Sequence, residues 1–311
     1  MALWAILATV GIFLFGLAIL VLASNYLVTA LIKFAKIVGI PTVIVGALIL
    51  GLGTSLPELS NSMIATAQGL ADLGVGNLIG AAVTDLTLAM GLIFLLSKKT
   101  KVKEATSRTL LFFTLAAAVM FLMFGMDNLI ARWEGAIMFA VFVAYQFLIF
   151  KEGFSSLHER FSARRLIIPY ILIPLALFSV LIGAFLVVET GSALAALAGV
   201  SVAVIGLTIV SIGTTLPEII EGVIATRKGE QSLAVGSVLG GAVINMLLIF
   251  SLAAMIFSLP INYAAFVLPA IILAVVVLYH LGYAAIRKQT DKVLGASLVG
   301  IYLVYLLINF L

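Results

Sequence analysis

Two short segments combine carboxylate, hydroxyl and proline side chains inside long apolar stretches. Residues 53–58 read GTSLPE, and residues 213–218 read GTTLPE, 160 positions further along the chain. Because hydrocarbon solvates a carboxylate poorly, an ionisable side chain at such a depth marks a functional site. The recurrence of the segment predicts one polar pocket at the interface of two homologous halves.

The composition is that of a membrane protein. Of the 311 residues, 64% are hydrophobic and 10% are charged, which leaves too much apolar surface for a soluble fold. The net charge of +4 does not indicate nucleic-acid binding, because the charges fall in short loops between apolar runs. We therefore expect a multi-pass protein of a cell membrane, with the lipid bilayer as its surroundings and no nucleic-acid partner.

Ten apolar runs approach or exceed the roughly 20 residues that cross the hydrocarbon core of a bilayer. They fall at 3–31, 39–68, 72–97, 106–126, 130–150, 166–190, 199–227, 231–258, 262–284 and 293–311. This pattern predicts an all-α membrane protein with ten transmembrane helices.

Lysine and arginine orient these spans. If the N-terminus is extracellular, sixteen of the 17 basic residues lie in cytoplasmic loops and only Arg132 lies outside, as the positive-inside rule requires. Both termini are then predicted to be extracellular. A cytoplasmic linker, 151–165, separates two domains of five spans each, 1–150 and 166–311. An odd number of spans per half gives the two repeats inverted topology.

A gapless alignment of residues 39–91 with residues 199–251 makes the repeat visible. Glycines coincide at Gly46/Gly206, Gly53/Gly213 and Gly80/Gly240, among other identities. Small residues also let membrane helices pack closely, which is a sufficient explanation for isolated glycines. It does not explain why the hydroxyl and carboxylate side chains recur as well.

Proline predicts that the second and seventh helices are broken. Pro57 and Pro217 cannot donate a backbone hydrogen bond, and they disfavour helix in the residue before them. Proline suits the start of a helix, so we expect new half-helices to begin at Pro57 and Pro217. Each would hold its glutamate in the first turn, beside the positive end of the helix dipole.

The predicted pocket is lined with oxygen. Carbonyl groups freed at the two breaks would add to the side-chain oxygens of Glu58, Glu218, Thr54, Thr214, Ser55 and Thr215. Hard cations such as Ca²⁺ and Na⁺ prefer oxygen ligands, whereas zinc and copper favour nitrogen and sulfur. The segments therefore predict a site for a hard cation.

The next span in each half adds another polar residue. Asp85 and Asn245 each lie 27 residues after the glutamate of their own half. Glycine and alanine just upstream would let these spans approach the broken helices, so that both residues face the same centre. The alternative, that each only hydrogen-bonds a neighbouring helix, stays open, although burying the charge of Asp85 is the costlier of the two.

Together these features resemble the cation/Ca²⁺ antiporter superfamily, and within it the prokaryotic sodium/calcium exchangers. The shared motif is G-[TS]-[TS]-x-P-E, followed at fixed spacing by G-x-x-x-x-[ND], and it occurs in both halves. The resemblance covers essentially the whole chain. It implies exchange of Ca²⁺ for Na⁺ by alternating access, with the long first and sixth spans sliding across the other eight.

The resemblance also implies roles for single residues. It makes Glu58 and Glu218 the central Ca²⁺ ligands, which Na⁺ also uses. The surrounding matched positions supply hydroxyl or carbonyl oxygens (Thr54, Thr214, Ser55 and Thr215), backbone carbonyls (Gly51 and Ser211) and an acid–amide pair (Asp85 and Asn245). Ca²⁺ and Na⁺ are then transported ions, and we expect no organic cofactor, no enzymatic activity and a monomer.

Two features depart from the family pattern. The prokaryotic exchangers are expected to carry serine four residues before the acid or amide, where this chain has Ala81 and Gly241. The acid also lies in the first repeat and the amide in the second, the reverse of the usual arrangement. The missing oxygens keep H⁺/Ca²⁺ exchange and K⁺-dependent exchange open as alternatives, and a cation channel fits the inverted repeat less well.

Three carboxylates set the charge of the predicted pocket. Three Na⁺ would neutralise Glu58, Asp85 and Glu218, whereas one Ca²⁺ would leave one negative charge unless an acid takes a proton. We expect Asp85 to carry that proton when Ca²⁺ is bound.

Further polar residues lie beside the motifs. Glu221 follows Glu218 by three residues, and it either widens the cation path toward the cytoplasm or pairs with Arg227 or Lys228. Ser24 and Asn25 are candidates to line a passage beside the first span. Glu189, at the outer end of the sixth span, either attracts cations to an entrance or is a simple interfacial charge.

Overall fold

The computed structural model describes residues 3–97, 104–154, 163–197, 211–287 and 291–310. The regular secondary structure of this part of the chain is helical, apart from two strands of two residues each. Most of the predicted linker, 151–165, lies outside the described residues, as do Gly199 and Gly206 of the repeat alignment.

The elements follow the order of the predicted spans. In the first half they are α1 (Leu3–Val38), α2 (Thr42–Thr54), α3 (Leu56–Ala67), α4 (Ala71–Leu96), α5 (Glu104–Phe124), β1 (Leu129–Ile130) and α6 (Arg132–Phe154). In the second half they are α7 (Ala163–Leu197), α8 (Ser211–Arg227), α9 (Gln231–Phe257), β2 (Leu259–Pro260), α10 (Tyr263–Arg287) and α11 (Lys292–Phe310).

Apolar helices long enough to cross a membrane make up most of the described chain. Seven single helices meet this criterion there, and the bent pair α2–α3 makes eight if it is counted as one span. The other two predicted spans correspond to α8, whose upstream part lies outside the described residues, and to the shorter apolar helix α11. The protein is an integral membrane protein built from helices.

The second predicted span is bent beside its proline. Helices α2 and α3 meet at 41°, and Ser55 between them has φ −80° and ψ 6°, outside the helical range. Pro57 lies in the first turn of α3, together with Glu58. The new half-helix therefore begins one residue earlier than Pro57 but otherwise as the proline predicts.

The equivalent segment of the second repeat is different. Helix α8 runs from Ser211 to Arg227 with Pro217 inside it, so the prediction that a new helix begins at Pro217 is wrong. Proline removes one intrahelical hydrogen bond and releases the carbonyl four residues earlier, here that of Gly213. An acceptor is thereby freed without a break in the described helix.

Wide π-helical turns interrupt three helices, which the sequence did not predict. They span Gly46–Leu50 in α2, Asp85–Ala89 in α4 and Ile244–Ile249 in α9. Such turns are rare and frequent at functional sites. The turns in α4 and α9 hold Asp85 and Asn245 at their beginning, which is the same place in both repeats.

Glycine brings α2 and α9 into backbone contact. A Cβ atom on Gly46 would collide with the carbonyl oxygen of Leu233, and one on Gly236 would collide with that of Val43. A Cβ atom on Gly240 would lie 2.6 Å from the Cα of Ala47. The two helices can therefore approach this closely only because these positions lack side chains.

The two longest helices, α1 and α7, also cross at glycines. A Cβ atom on Gly16 would lie 2.9 Å from Leu186 Cβ, and one on Gly183 would lie 2.8 Å from the backbone nitrogen of Leu20. Both helices expose many large apolar side chains, including Phe15 and Phe185. Helices α1 and α7 therefore pack against each other, and their outer surface is apolar.

Three loops are tied together on one face of the molecule. Strands β1 and β2 pair antiparallel, with Ile130 opposite Leu259. The backbone nitrogen of Asn262 donates to Asp72 Oδ1 at 2.8 Å, and the Tyr263 hydroxyl donates to the carbonyl of Leu122 at 2.7 Å. The loops after the second, fourth and eighth predicted spans thus meet, as an alternating topology requires.

Candidate cation site

Three carboxylates lie deep inside the helix bundle. Glu58 on α3, Asp85 on α4 and Glu218 on α8 are all fully buried. They are close enough to interact electrostatically, since Glu58 experiences the charges of both Glu218 and Asp85. Elements from both repeats therefore bring acidic side chains to one centre, as the repeated motif predicts.

Gly241 marks a point where the two repeats meet. A Cβ atom on Gly241 would lie 3.5 Å from Asp85 Oδ2 and 3.6 Å from Ser55 Oγ. The same point lies 3.8 Å from Glu218 Cγ. Three side chains of the predicted site thus surround this glycine at ordinary contact distance, so the position has room for a small side chain.

Threonine hydroxyls approach the carboxylate of the opposite repeat. Thr214 lies beside Glu58, and Thr54 lies beside Glu218. Their protons go elsewhere, because Thr54 Oγ1 donates to the carbonyl of Leu50 at 2.9 Å and Thr214 Oγ1 lies 3.2 Å from the carbonyl of Ser211. The threonine oxygens consequently keep lone pairs available to an electropositive group.

The remaining predicted residues are buried around this centre. Thr215 donates to the carbonyl of Ser211 at 2.7 Å, and the nearby Ser211 hydroxyl has no partner in the described part of the chain. Gly51 lies against α9, since a Cβ atom on it would lie 3.0 Å from the nitrogen of Gly241. Asn245 is fully buried in the π-helical turn of α9, which packs against α3 and α4.

Many of these polar atoms have no hydrogen-bond partner among the described residues. They are both carboxylate oxygens of Glu58, Asp85 and Glu218, both amide atoms of Asn245 and the hydroxyl of Ser55. A charged carboxylate without a partner is costly at membrane depth, by about 2.5–3.5 kcal/mol on insertion scales. The arrangement therefore calls for a positive charge, a proton or water.

Carboxylates alone do not complete a metal site here. Within the described residues, no three His, Cys, Asp or Glu side chains are placed to hold a metal ion by themselves. A bound cation would need hydroxyl, amide or backbone oxygens as well. Those are the groups that surround Glu58 and Glu218, and an all-oxygen set suits Na⁺ or Ca²⁺ rather than zinc.

Asn77 joins the repeats next to the site, and sequence reasoning missed it. Its Oδ1 lies 3.3 Å from Thr214 Oγ1, and its Nδ2 donates to Ser62 Oγ at 3.2 Å. The position equivalent to Asn77 in the second repeat is Ser237, whose buried hydroxyl has no partner among the described residues. A buried asparagine eight residues before Asp85 was the available sign of this link.

A crevice opens between α3 and α7 beside the first motif. Its volume is about 190 Å³. The lining residues are Leu56, Pro57, Ser60, Asn61, Leu181, Phe185 and Glu189. Ser60 and Glu189 are exposed, and Pro57 and Asn61 are half-buried.

The corresponding seam between α1 and α8 is closed. Ser24 Oγ donates to Glu221 Oε1 at 3.4 Å, and both residues are fully buried. Lys228 contacts the hydroxyl of Thr29 and donates to the carbonyl of Asn25 at 3.3 Å. Glu221 therefore does not pair with Lys228, and among the described residues it forms no ion pair.

Comparison with known proteins places this geometry in a family. The family described as "Sodium/calcium exchanger protein" matches residues 8–151 and 168–311. This chain belongs to that family. The matched segments cover both halves, which confirms the resemblance that the two motifs predict.

Related exchangers and membrane proteins align along nearly the whole chain. Sodium/calcium exchanger MaX1 from Methanosarcina acetivorans is 26% identical, over 96% of this chain and 97% of its own. Inner membrane protein YrbG from Escherichia coli is 28% identical, over 97% of this chain and 96% of its own. A structure of the sodium-calcium exchanger NCX_Mj superposes with a TM-score of 0.84 over 96% of this chain and 97% of its own, at 24% identity. The last comparison shows that the exchanger fold is shared.

Proposed function

We propose that this exchanger-family protein is a secondary antiporter that exchanges Ca²⁺ for Na⁺ by alternating access. The observation that carries the proposal is the buried pair Glu58 and Glu218, one from each repeat, with unpartnered carboxylate oxygens facing a centre lined with oxygen. The names of two similar proteins, MaX1 and NCX_Mj, support Ca²⁺ and Na⁺ as the ions. No catalytic chemistry is part of the proposal.

Exchange follows from shared ligands. In this proposal Glu58, Glu218 and Asp85 bind Ca²⁺ and Na⁺ in turn, with Asn245, Gly51 and Ser211 completing the shell alongside the hydroxyls of Thr54, Thr214, Ser55 and Thr215. Because the same carboxylates serve both ions, full occupancy by one excludes the other. Asp85 holds a proton when Ca²⁺ is bound, which balances the charge of the pocket.

Alternating access is supported by the unequal state of the two crevices. The α3–α7 crevice is open beside Pro57, whereas the α1–α8 seam is closed by Ser24 and Glu221. Movement of α1 and α7 across the other helices would close the first and open the second. The positive-inside rule supports a topology in which both termini and the open crevice are extracellular and the linker 151–165 is cytoplasmic.

The decisive experiment is ⁴⁵Ca²⁺ uptake into proteoliposomes driven by an outward Na⁺ gradient. Glu58→Gln and Glu218→Gln each remove a central charge and should lower uptake by ~100-fold or more. Glu230→Gln is the matched control, because Glu230 lies away from the centre and forms an ion pair with Lys36, with 3.4 Å between Oε1 and Nζ. Uptake near the wild-type rate in either central variant would refute the assignment.

A second candidate, H⁺/Ca²⁺ exchange, is favoured by one specific observation. Gly241 lies among Asp85, Ser55 and Glu218 without a side-chain oxygen of its own, which removes a ligand expected for Na⁺. Imposing Na⁺, K⁺ and H⁺ gradients one at a time on the wild-type protein separates the candidates. We expect the Na⁺ gradient to drive Ca²⁺ uptake at fixed pH.

A further inference from the structure

Glu221 is a buried acid that the central site does not use. It is fully buried in α8, one helical turn beyond Glu218, and its Oε2 atom has no hydrogen-bond partner in the described residues. Its Oε1 atom receives a long hydrogen bond of 3.4 Å from Ser24 on α1. A carboxylate between two helices with an unused oxygen is a potential ligand at their contact.

Among the described residues, no positively charged group offsets the charge of Glu221. The charged group that acts on it is Glu218, which is also acidic. Lys228, which directly follows α8, contacts Asn25 and Thr29, and Arg227 at the end of α8 is exposed. A carboxylate in this position is costly unless a cation or a proton accompanies it.

We propose that Glu221 and Ser24 form a transit site for one monovalent alkali cation in the α1–α8 seam. The proposal rests on the proposed antiport function and adds a second cation-binding site to it. A single carboxylate carries one negative charge and so balances a monovalent ion. Ca²⁺ instead takes six to eight oxygens, usually with several carboxylates.

The position of Glu221 along α8 fits a path rather than a second central site. Glu218 and Glu221 lie three residues apart in α8, which places them on one face of the helix, and Lys228 directly follows the end of α8. Successive acids three residues apart are separated by about 4.5 Å along the axis. A cation leaving Glu218 would thus meet Glu221 before it reaches the end of α8, where Lys228 follows the helix.

The first repeat has no carboxylate at the position equivalent to Glu221. The residue equivalent to Glu221 is Asn61, which is neutral, half-buried and part of the open α3–α7 crevice. At this position the motif helix therefore carries a carboxylate beside the closed seam and an amide beside the open crevice, and the carboxylate that lines the crevice, Glu189, belongs to α7. The transit site would serve the passage that opens when α1 moves and the Ser24–Glu221 contact separates.

The test compares the Na⁺ dependence of the wild-type protein with that of Glu221→Gln and Ser24→Ala. Sodium-driven ⁴⁵Ca²⁺ flux is measured against the Na⁺ concentration on the Lys228 side, with choline holding ionic strength constant. Glu221→Gln should raise half-saturating Na⁺ by about three- to tenfold and lower the Hill coefficient, because it removes one charged ligand. Half-saturating Ca²⁺ should change by less than about twofold.

A binding measurement accompanies the flux. Thermal unfolding of the purified full-length protein is followed as NaCl is added, since an ion that binds the native state raises its midpoint temperature. The midpoint should rise less steeply with Na⁺ in Glu221→Gln than in the wild type, and Ser24→Ala should show a smaller change in the same direction. Glu230→Gln should behave as the wild type.

The outcomes separate this inference from the antiport proposal. If the wild type shows no Na⁺-driven Ca²⁺ flux, the antiport proposal fails. If the wild type transports and both variants keep its Na⁺ dependence, the transit site does not exist. Equal weakening for Na⁺ and Ca²⁺ would make Glu221 part of a common path and overturn the monovalent assignment. A change in pH dependence alone would show that a proton, not an alkali cation, accompanies Glu221.

Discussion

The α3–α7 crevice and the α1–α8 seam are built from equivalent segments of the two repeats, yet they differ in access. Pro57 and Asn61 are half-buried at the open crevice, whereas their counterparts Pro217 and Glu221 are buried at the seam. The same motif thus faces an opening on one side and packed side chains on the other. The two motifs have the same kinds of side chain. They differ in how closely the long helix beside each of them packs.

The largest expected contrast is in chemical accessibility. The chain has no cysteine, so Ser60→Cys in the crevice and Ser24→Cys in the seam are matched single probes. Ser60 is exposed and Ser24 is fully buried. A membrane-impermeant thiol reagent present on both sides of the membrane should label Ser60→Cys at least ~100-fold faster, because only an accessible thiolate reacts.

Equal labelling rates for the two cysteine variants would contradict the comparison. It would mean that the seam opens as readily as the crevice under the conditions of the assay. A transport measurement on both variants provides the control, because a misfolded variant would neither transport nor show a meaningful difference in labelling.

A smaller effect is expected where α1 and α7 cross. Gly183→Val should force the helices apart, since a Cβ atom there would lie 2.8 Å from the Leu20 nitrogen. Overpacking of this kind costs about 1–3 kcal/mol, so the thermal midpoint should fall and transport should drop. Gly282→Val is the control on a helix where a Cβ atom meets nothing within 4 Å. Similar losses in both variants would show that the crossing is not special.

A change at the centre sharpens the comparison further. Gly241→Ser should fit without a clash, because its Cβ atom would lie 3.5 Å from Asp85 Oδ2 and 3.6 Å from Ser55 Oγ. It would add a hydroxyl beside these oxygens. We expect half-saturating Na⁺ to fall by about two- to fivefold, as one neutral ligand would provide. Gly241→Ala, which adds the Cβ atom without the oxygen, separates the ligand from the steric effect. An equal change in both variants would argue against a sodium ligand at this position.

Some of this architecture could be predicted from the sequence. The sequence predicts a shared site for the repeated carboxylates and for Asp85, and the structure buries Glu58, Asp85 and Glu218 together. It also predicts the start of a new helix near Pro57, where the chain bends. The family assignment followed from the same residues. Ionisable side chains within apolar segments are strong predictors of a functional site, because burying them costs free energy that only a function explains.

Other features depend on packing that a single sequence does not reveal. The prolines predicted breaks in both repeats, but α8 continues through Pro217 while the chain bends beside Pro57. The π-helical turns at Asp85 and Asn245 were not predicted either, because such turns are rare. The contact of Asn77 with Thr214 and that of Ser24 with Glu221 join residues 137 and 197 positions apart, so neither follows from local spacing.

The tied loops around β1 and β2 give the molecule a fixed frame. Their backbone pairing and the bonds of Asp72 and Tyr263 join the ends of α4, α5, α6, α9 and α10 on one face. Helices α1 and α7 take no part in this ladder and hold each other through Gly16 and Gly183. In the antiport proposal, the helices with these joined ends would stay fixed while α1 and α7 move as a pair. The proposed cation ligands Glu58, Asp85 and Glu218 lie on α3, α4 and α8, outside the moving pair, so movement of α1 and α7 would change access to the site and leave its ligands in place.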